Sequence, residues 1–318
     1  MTQEMYCIKP NTDNPFFNLA VEEILLKNRT EDFIILGINN TSIIIGKHQN
    51  AYQEINTRFI KENRIPVIRR ISGGGTVFHD KGNLNFSFIR QSESGKQVDF
   101  RKYTQPVIDF LSSAGINTSF EGKSDLKING FKISGNAEHV YRNRVLHHGT
   151  LLYDASMDTL RNSLRKDRSS FISKAVVSNP SPVTNIKEML PQFENIHELR
   201  TGMMEFFLKN YPDAETYEIS EAEKTEAESL VESKYLTWEW NYAYSPEFEF
   251  TNTFQYMKGQ ITVRLYVKGG IVWDCLLEGS ENLSGIDKKL IGCKYTVEDI
   301  RKRFLQEKIT DMDVFNFF

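Results

Sequence analysis

Three stretches of the chain carry residue types that do chemistry. The first runs Arg69-Arg70-Ile71-Ser72-Gly73-Gly74-Gly75-Thr76-Val77-Phe78-His79-Asp80. Consecutive glycines leave backbone N–H groups unshielded and tolerate positive φ, which suits a concave nest for an anion. Two arginines just upstream add fixed charge fitted to phosphate or carboxylate. The Lys-Ser/Thr ending of a Walker loop is missing, and so is the Rossmann glycine spacing. A flexible hairpin loop is the competing reading of the glycines, against which the flanking arginines and the apolar Val77-Phe78 weigh.

The second stretch is Asp125-Leu126-Lys127-Ile128-Asn129-Gly130-Phe131-Lys132-Ile133-Ser134-Gly135. Asn-Gly between two alternating runs predicts a two-residue type I′ hairpin. Counting outward from the turn sets Ile128 opposite Phe131, Lys127 opposite Lys132, Leu126 opposite Ile133 and Asp125 opposite Ser134. Period 2 then sends Leu126, Ile128, Phe131 and Ile133 to the core, and Asp125, Lys127, Lys132 and Ser134 to the other face. Two lysines directly opposite one another repel. The arrangement suits an anion lying over that face, or two ammonium groups simply reaching into solvent. Asp125 on the same face offsets their charge or holds Mg²⁺ beside a nucleotide.

The third stretch, Leu146-His147-His148-Gly149-Thr150-Leu151-Leu152, reads as a strand. Adjacent histidines on a strand point to opposite faces, so the two do not chelate one metal. His147 reads as a satisfied core residue.

These segments need elements to hold them. Asn14 is an N-cap with Pro15 at the first helical position, and Phe17, Ala20, Val21, Ile24 and Leu25 form a helical stripe. Phe33–Leu36 and Ser42–Ile45, with Asn39-Asn40 between them, read as an antiparallel pair. A short helix near 57–63, strands at 66–70 and 84–89, and a helix over 103–114 closed by Gly115 follow. Asn195 with Glu198, and Ser220 with Glu223, have capping-box spacing. The aromatic run from Trp238 to Tyr244 marks a boundary, followed by strands near 247–251, 260–266 and 271–277 and a helix opened by Thr296 and Asp299. The expected fold is α+β: a mixed, largely antiparallel sheet flanked by helices over 1–246, with a small α+β accessory domain over 247–318.

The 318 residues, 40% hydrophobic and 25% charged, describe an ordinary globular chain. No apolar run reaches membrane-span length and the N-terminus lacks a signal peptide, so the expected location is the cytoplasm. A net charge of −3 argues against a general nucleic-acid binder. Cys7, Cys275 and Cys293 are far apart and match neither a disulfide framework nor a zinc pattern.

Taken together the segments resemble the lipoate–protein ligases, of the biotin/lipoyl ligase fold. The matching pieces are Asn14-Pro-Phe-Phe-Asn-Leu-Ala-Val-Glu-Glu23, the 69–80 run with Gly82-Asn83, Asp125 with Lys132-Ile-Ser-Gly135, His147-His-Gly-Thr-Leu-Leu152 and Val183-Thr-Asn185. The resemblance covers about 1–245, and the later domain matches the family's accessory domain in position. It implies a two-step reaction. Lipoate and Mg-ATP give lipoyl-AMP and pyrophosphate, and a lysine of a lipoyl-carrier protein then takes the acyl group as an amide. The carrier is the lipoyl domain of an E2 acyltransferase or the glycine-cleavage H protein. The resemblance makes Lys132 the catalytic lysine, touching both the lipoyl carbonyl and the nucleotide phosphate. It places Arg70, Gly75, Thr76, Val77, Phe78, Asn83 and Asp125 on the nucleotide, with Asp125 the magnesium ligand. Ser72, Gly73, Gly74, His79 and His148 would line the lipoyl side, and the protein would act as a monomer.

One departure stands out. Many members carry Ser-Val-Arg-Ser-Arg-Val-Thr-Asn in a mobile loop over the adenylate. This chain has Ser178-Asn179-Pro180-Ser181-Pro182-Val183-Thr184-Asn185, with prolines where the arginines fall. Prolines stiffen such a loop and remove two N–H donors.

Two other functions compete. An octanoyl or lipoyl transferase of the same fold works without ATP but needs a cysteine nucleophile, and no cysteine lies between Cys7 and Cys275. A non-catalytic lipoate- or carrier-binding homologue is the other, kept open by the proline loop. Biotin ligases share the fold, but their Gly-Arg-Gly-Arg type of loop is absent.

Overall fold

The computed structural model describes residues 4–92, 98–279 and 285–318. Its strands in chain order are β1 (Met5–Ile8), β2 (Asp32–Ile38), β3 (Ser42–Ile45), β4 (Val67–Arg69), β5 (Val77–His79), β6 (Asn83–Gln91), β7 (Ser119–Glu121) and β8 (Asp125–Ile128). β9 (Phe131–Tyr141), β10 (Arg144–Leu152), β11 (Phe171–Ser173), β12 (Ala214–Thr216), β13 (Phe248–Tyr256), β14 (Gly259–Lys268) and β15 (Ile271–Glu278) complete the set. The chain divides into two compact units.

The first unit comprises Met1–Lys47, Pro66–Arg161 and Ser178–Leu236. Its main sheet runs β12-β1-β2-β6-β10-β9-β8-β7, and a smaller one runs β4-β3-β5. In the main sheet β1 pairs with β2 and β12 in parallel, while the other pairings are antiparallel. The α+β expectation of a mixed, largely antiparallel sheet flanked by helices is met. Leu84, Phe86 and Phe88 alternate onto one face of β6, where they pack with Val107 and Phe110 of the helix Phe100–Ser113 and with Leu199, Met203 and Phe207 of the helix Ile196–Asn210. The helix α1 (Pro15–Asn28) faces the opposite side, its Glu22 reaching Ser87 of β6. Asn14 caps α1 as expected, its side chain accepting from the N–H of Phe16 and Phe17.

Two expectations fail here. β2 and β3 do not pair. Both edges of β2 are taken by β1 and β6, so β3 joins β4 and β5 instead. The segment between them is no tight turn: Asn39 is buried against His79, and Asn40 bonds Asp13. In the β8–β9 hairpin the turn is as expected, with Asn129 at φ 51° and Gly130 at φ 81°. Ile128 faces Phe131 and Lys127 faces Lys132, but a bulge then sets Leu126 opposite Ser134 and Asp125 opposite Gly135. Leu126 and Ile133 both stay buried across the bulge, whereas Phe131 at the tip is 47% exposed.

The second unit gathers His48–Ile65, Asn162–Val177 and Thr237–Phe318. An antiparallel sheet β11-β13-β14-β15 sends Phe248, Phe250, Ile261, Val263 and Leu265 into a core closed by Ile300 and Phe304 of the helix Val297–Gln306. Thr296 caps that helix by accepting from the Asp299 N–H.

Candidate active site

The glycine stretch lies between β4 and β5 and is held from beneath by Arg70. Arg70 is 4% exposed. Its Nη2 donates to the carbonyls of Gly73 and Gly75 at 2.6 and 2.7 Å, its Nη1 to Ile44 O at 3.1 Å, and its Nε to Ser72 Oγ at 2.9 Å. The guanidinium therefore folds the loop around itself rather than standing open to a ligand. Burial pushes its pKa down to about 10. Arg69 is buried as well and donates to Gly46 O and Lys47 O. Glycine is required at two levels here. Gly74 sits at φ 81°, and a Cβ on Gly46, at the end of β3, would lie 2.1 Å from Gly74 O.

Lys132 faces this loop from β9. Its Nζ is 2.8 Å from Asp125 Oδ1, and Lys127 pairs with Glu121 at 2.9 Å, so each of the two opposed lysines has an acidic partner. The Lys132 side chain lies over Gly135, where an added Cβ would come within 2.9 Å of both Cε and Nζ and 4.0 Å of Val77 on β5. The loop reaches the same strand two residues on, the Cβ position of Gly74 being 3.5 Å from that of Ala137. The catalytic-lysine candidate and the anion-nest candidate thus meet over Gly135-Asn136-Ala137.

The segment Ser178–Thr184 straps the two together. Thr76 N–H donates to Ser178 Oγ at 2.7 Å. At the other end Lys132 N–H donates to Pro182 O at 2.8 Å and Thr184 N–H to Lys132 O at 3.1 Å, with Lys132 and Val183 bridged in parallel.

The histidines separate as alternation requires. His147 is fully buried between Glu138, at 2.9 Å, and Thr104, at 3.2 Å, a satisfied core histidine. His148, paired with Ala137, turns to the loop side, with Nε2 2.6 Å from Ser72 Oγ and Nδ1 2.8 Å from Glu22. His79 accepts at Nδ1 from the Asn39 side-chain amide at 3.0 Å, which leaves Nε2 carrying the hydrogen. Burial, reinforced by Arg70 and His148, pushes the His79 pKa down to about 3. Val77 and Phe78 pair with Ile44 and Ile43, and Phe78 is buried. Asn83 begins β6, donates from Nδ2 to Asn85 Oδ1 at 2.8 Å, and has its own Oδ1 buried without a partner, as is Asn85 Nδ2. Asn85 lies opposite Thr150, whose Oγ1 accepts from Gly135 N–H.

Residues 14–208 match the family described as the lipoyl protein ligase A/B catalytic domain, and residues 245–314 match the bacterial lipoate protein ligase C-terminus. The chain is 36% identical to lipoate-protein ligase LplJ of Bacillus subtilis over 90% of its own length and 88% of the relative's. It is 33% identical to lipoate–protein ligase 1 of Staphylococcus aureus, over 97% and 94% respectively. The chain belongs to the lipoate–protein ligase family. Solved structures of such ligases share its fold. P. falciparum LipL1 in complex with lipoate matches at 25% identity and a TM-score of 0.61, covering 95% of this chain and 94% of that one. A bipartite Thermoplasma acidophilum lipoate protein ligase, described with its E2 lipoyl domain, matches at 26% and 0.64, covering 75% and 96%. A lipoate-protein ligase A bound with ATP matches at 25% and 0.62, covering 76% and 98%.

In this lipoate–protein ligase no cysteine is exposed to act as a nucleophile. Cys7, Cys275 and Cys293 are all buried, and burial pushes their thiols up to about 11, 12 and 11. A thiol so held is no thiolate nucleophile at neutral pH. Among the described residues no helix is long and apolar enough to cross a membrane. Three contributors escaped sequence reasoning: Glu22, Ser178 and Asn39. Each acts on a residue 40 or more positions away, a partner that the local runs containing it do not reveal.

Proposed function

We propose that residues 1–246 are the catalytic domain of an ATP-dependent lipoate–protein ligase and that Lys132 is its catalytic residue. The observation that carries this reading is the position of the Lys132 ammonium, over Gly135 beside Val77 and tied to Asp125. A fixed cation there stands against the negative charge that develops twice, first when the lipoate carboxylate displaces pyrophosphate from the α-phosphorus, then when a carrier lysine displaces AMP from the lipoyl carbonyl. Gly75, Thr76, Val77 and Phe78 supply the nucleotide-facing backbone, and Arg70 contributes through the loop it folds. Asn83 and Asn85 carry a buried acceptor and donor side by side without partners, a pair that a nucleobase edge would satisfy. Ser72, Gly73, Gly74, His79 and His148 form the lipoyl side, where the His79 Nε2–H is a neutral donor.

Asp125 would hold Mg²⁺. Among the described residues no three acidic, histidine or cysteine side chains converge on one point. Magnesium does not need such a cage, because one or two carboxylates with substrate phosphates complete its shell. When bound, the ion neutralises phosphate charge. The acceptor is a lipoyl-carrier protein, the E2 lipoyl domain or the glycine-cleavage H protein. The protein acts as a monomer in the cytoplasm, with 247–318 as the accessory domain.

The test is incubation with ATP, Mg²⁺ and lipoate followed by mass spectrometry, then a panel of purified carriers. Lipoyl-AMP is the expected product, with transfer to at least one carrier. Absence of lipoyl-AMP would falsify the ligase reading.

A further inference from the structure

The direction in which His79 can bond is set two side chains away, outside the glycine loop. Asn39, between β2 and β3, is 3% exposed, and its Nδ2 is 3.0 Å from His79 Nδ1. Its Oδ1 is 2.7 Å from Asn18 Nδ2 on α1. The same Asn18 nitrogen is 3.2 Å from the backbone carbonyl of Thr12.

Polarity propagates from that carbonyl. The oxygen and nitrogen of a side-chain amide have nearly the same shape, so each orientation must follow from a partner of fixed chemistry. A backbone carbonyl only accepts, so the Asn18 atom that meets Thr12 is the amide nitrogen. The second hydrogen of that nitrogen meets Asn39, whose facing atom is therefore its oxygen. The Asn39 nitrogen then points at His79, where Nδ1 must accept and carries no hydrogen. One neutral tautomer is left, with hydrogen on Nε2. Turning the Asn39 amide over would set its N–H against the N–H of Asn18 and lose a buried hydrogen bond. An imidazolium would likewise put an Nδ1–H against the Asn39 N–H, in keeping with the low pKa of this ring.

The remaining donor is spare. Among the described residues His79 Nε2 has no partner. Val77 and His79 alternate onto the same face of β5, and Val77 is the residue that meets Gly135 beneath the Lys132 side chain.

We infer that Asn39, oriented by Asn18 and the Thr12 carbonyl, is a positioning residue of the ligase: it locks the His79 ring as an Nε2–H donor toward a lipoyl oxygen. This rests on the reading of His79 as a residue of the lipoyl side. The lock makes His79 a neutral donor beside the Lys132 cation. It also denies the ring any part as a base, so His79 does not take the proton that the carrier lysine must lose.

The test is Asn39→Asp, which keeps the shape and the acceptor for Asn18 but replaces the donor to His79 by an acceptor. Nitrogen-15 spectra of the histidine rings at pH 8 should show wild-type His79 with hydrogen on Nε2 alone, and Asn39→Asp with hydrogen on Nδ1. Hydrogen on Nδ1 in the wild type, or an unchanged ring in the variant, would overturn the lock. In the same buffer kcat/KM for lipoate should fall about tenfold or more, the range of one hydrogen bond to a charged oxygen, with KM for ATP within about twofold of wild type. An unchanged kcat/KM for lipoate, or equal losses for lipoate and ATP, would overturn the positioning role. If Asn39→Asp does not fold, Asn18→Ala frees the Asn39 amide to turn, and two His79 tautomers are expected in place of one. A single, unchanged tautomer there would overturn the relay. If the wild type forms no lipoyl-AMP, the ligase reading fails while the spectra still decide the lock.

Discussion

Replacing Lys132 by alanine isolates one ammonium group, because the other bonds of this residue are made by its backbone. Its N–H and C=O hold Pro182 and Thr184, and alanine keeps both. The stability cost is small. The Lys132–Asp125 pair is about a quarter exposed on each side, and pairs of that kind contribute about 0–1 kcal/mol. The catalytic cost is not small. Removing a preorganised group that faces developing negative charge lowers kcat by about 10²–10³, or ~3–4 kcal/mol. Pyrophosphate release with saturating lipoate and ATP should therefore fall by at least about a hundredfold while the thermal midpoint moves by no more than about 4 °C. A Lys132→Ala enzyme within tenfold of wild type would refute the reasoning, and so would a loss of activity that simply tracks unfolding.

Three further outcomes are expected. Gly46→Ala brings a Cβ to 2.1 Å from the carbonyl oxygen of Gly74, so the backbone must move. An overpacking strain of about 1–3 kcal/mol should raise KM for ATP by about tenfold or more, and an unchanged KM would contradict the close approach. Cys275→Ser and Cys293→Ser should each retain adenylate formation per folded molecule, since both thiols are buried and protonated; loss of activity in a folded variant would restore the transferase reading. His79 is held neutral down to about 3 against an ordinary value of 6.5. Between these values the unfolded chain binds the extra proton, so stability is full above about 6.5 and falls as pH drops, by about 2 kcal/mol at pH 5 from this group. Urea midpoints at pH 7 and pH 5 should show a smaller acid loss in His79→Asn than in the wild type, and equal losses would remove His79 as the cause.

What was legible in the sequence was local. The Asn14 cap, the β6 alternation and the Asn129-Gly130 turn each follow from residues within one or two turns of chain, and each stands where expected. What failed was partner choice. Nothing in Ser42–Ile45 says that β1 and β6 already fill both edges of β2. The hairpin count fails at the first residue pair beyond Lys132, where the backbone of Lys132 bonds a segment fifty residues downstream. The glycine loop shows the same division. Its composition announces an anion nest, but the donors that Arg70 spends on Gly73 and Gly75 become visible only in three dimensions.

The proline segment is fixed by bonds that its prolines leave intact. Two prolines in place of arginines remove charge and two N–H donors from a loop expected to cover the adenylate. Yet the bonds that fix this segment draw on the Ser178 hydroxyl, the Pro182 carbonyl and the Thr184 N–H, and proline removes none of these. Proline also narrows the unfolded ensemble, so a segment that must lie in one path loses less entropy in taking it. In this chain the segment between the glycine loop and Lys132 is built as a strap, stiff in its middle and bonded at its ends. Arginine charge is absent from the strap, and the cations that lie nearest its two attachment points in the chain's own bonding are Lys132, whose backbone it pairs with, and Arg70, which holds the Gly75 carbonyl next to Thr76.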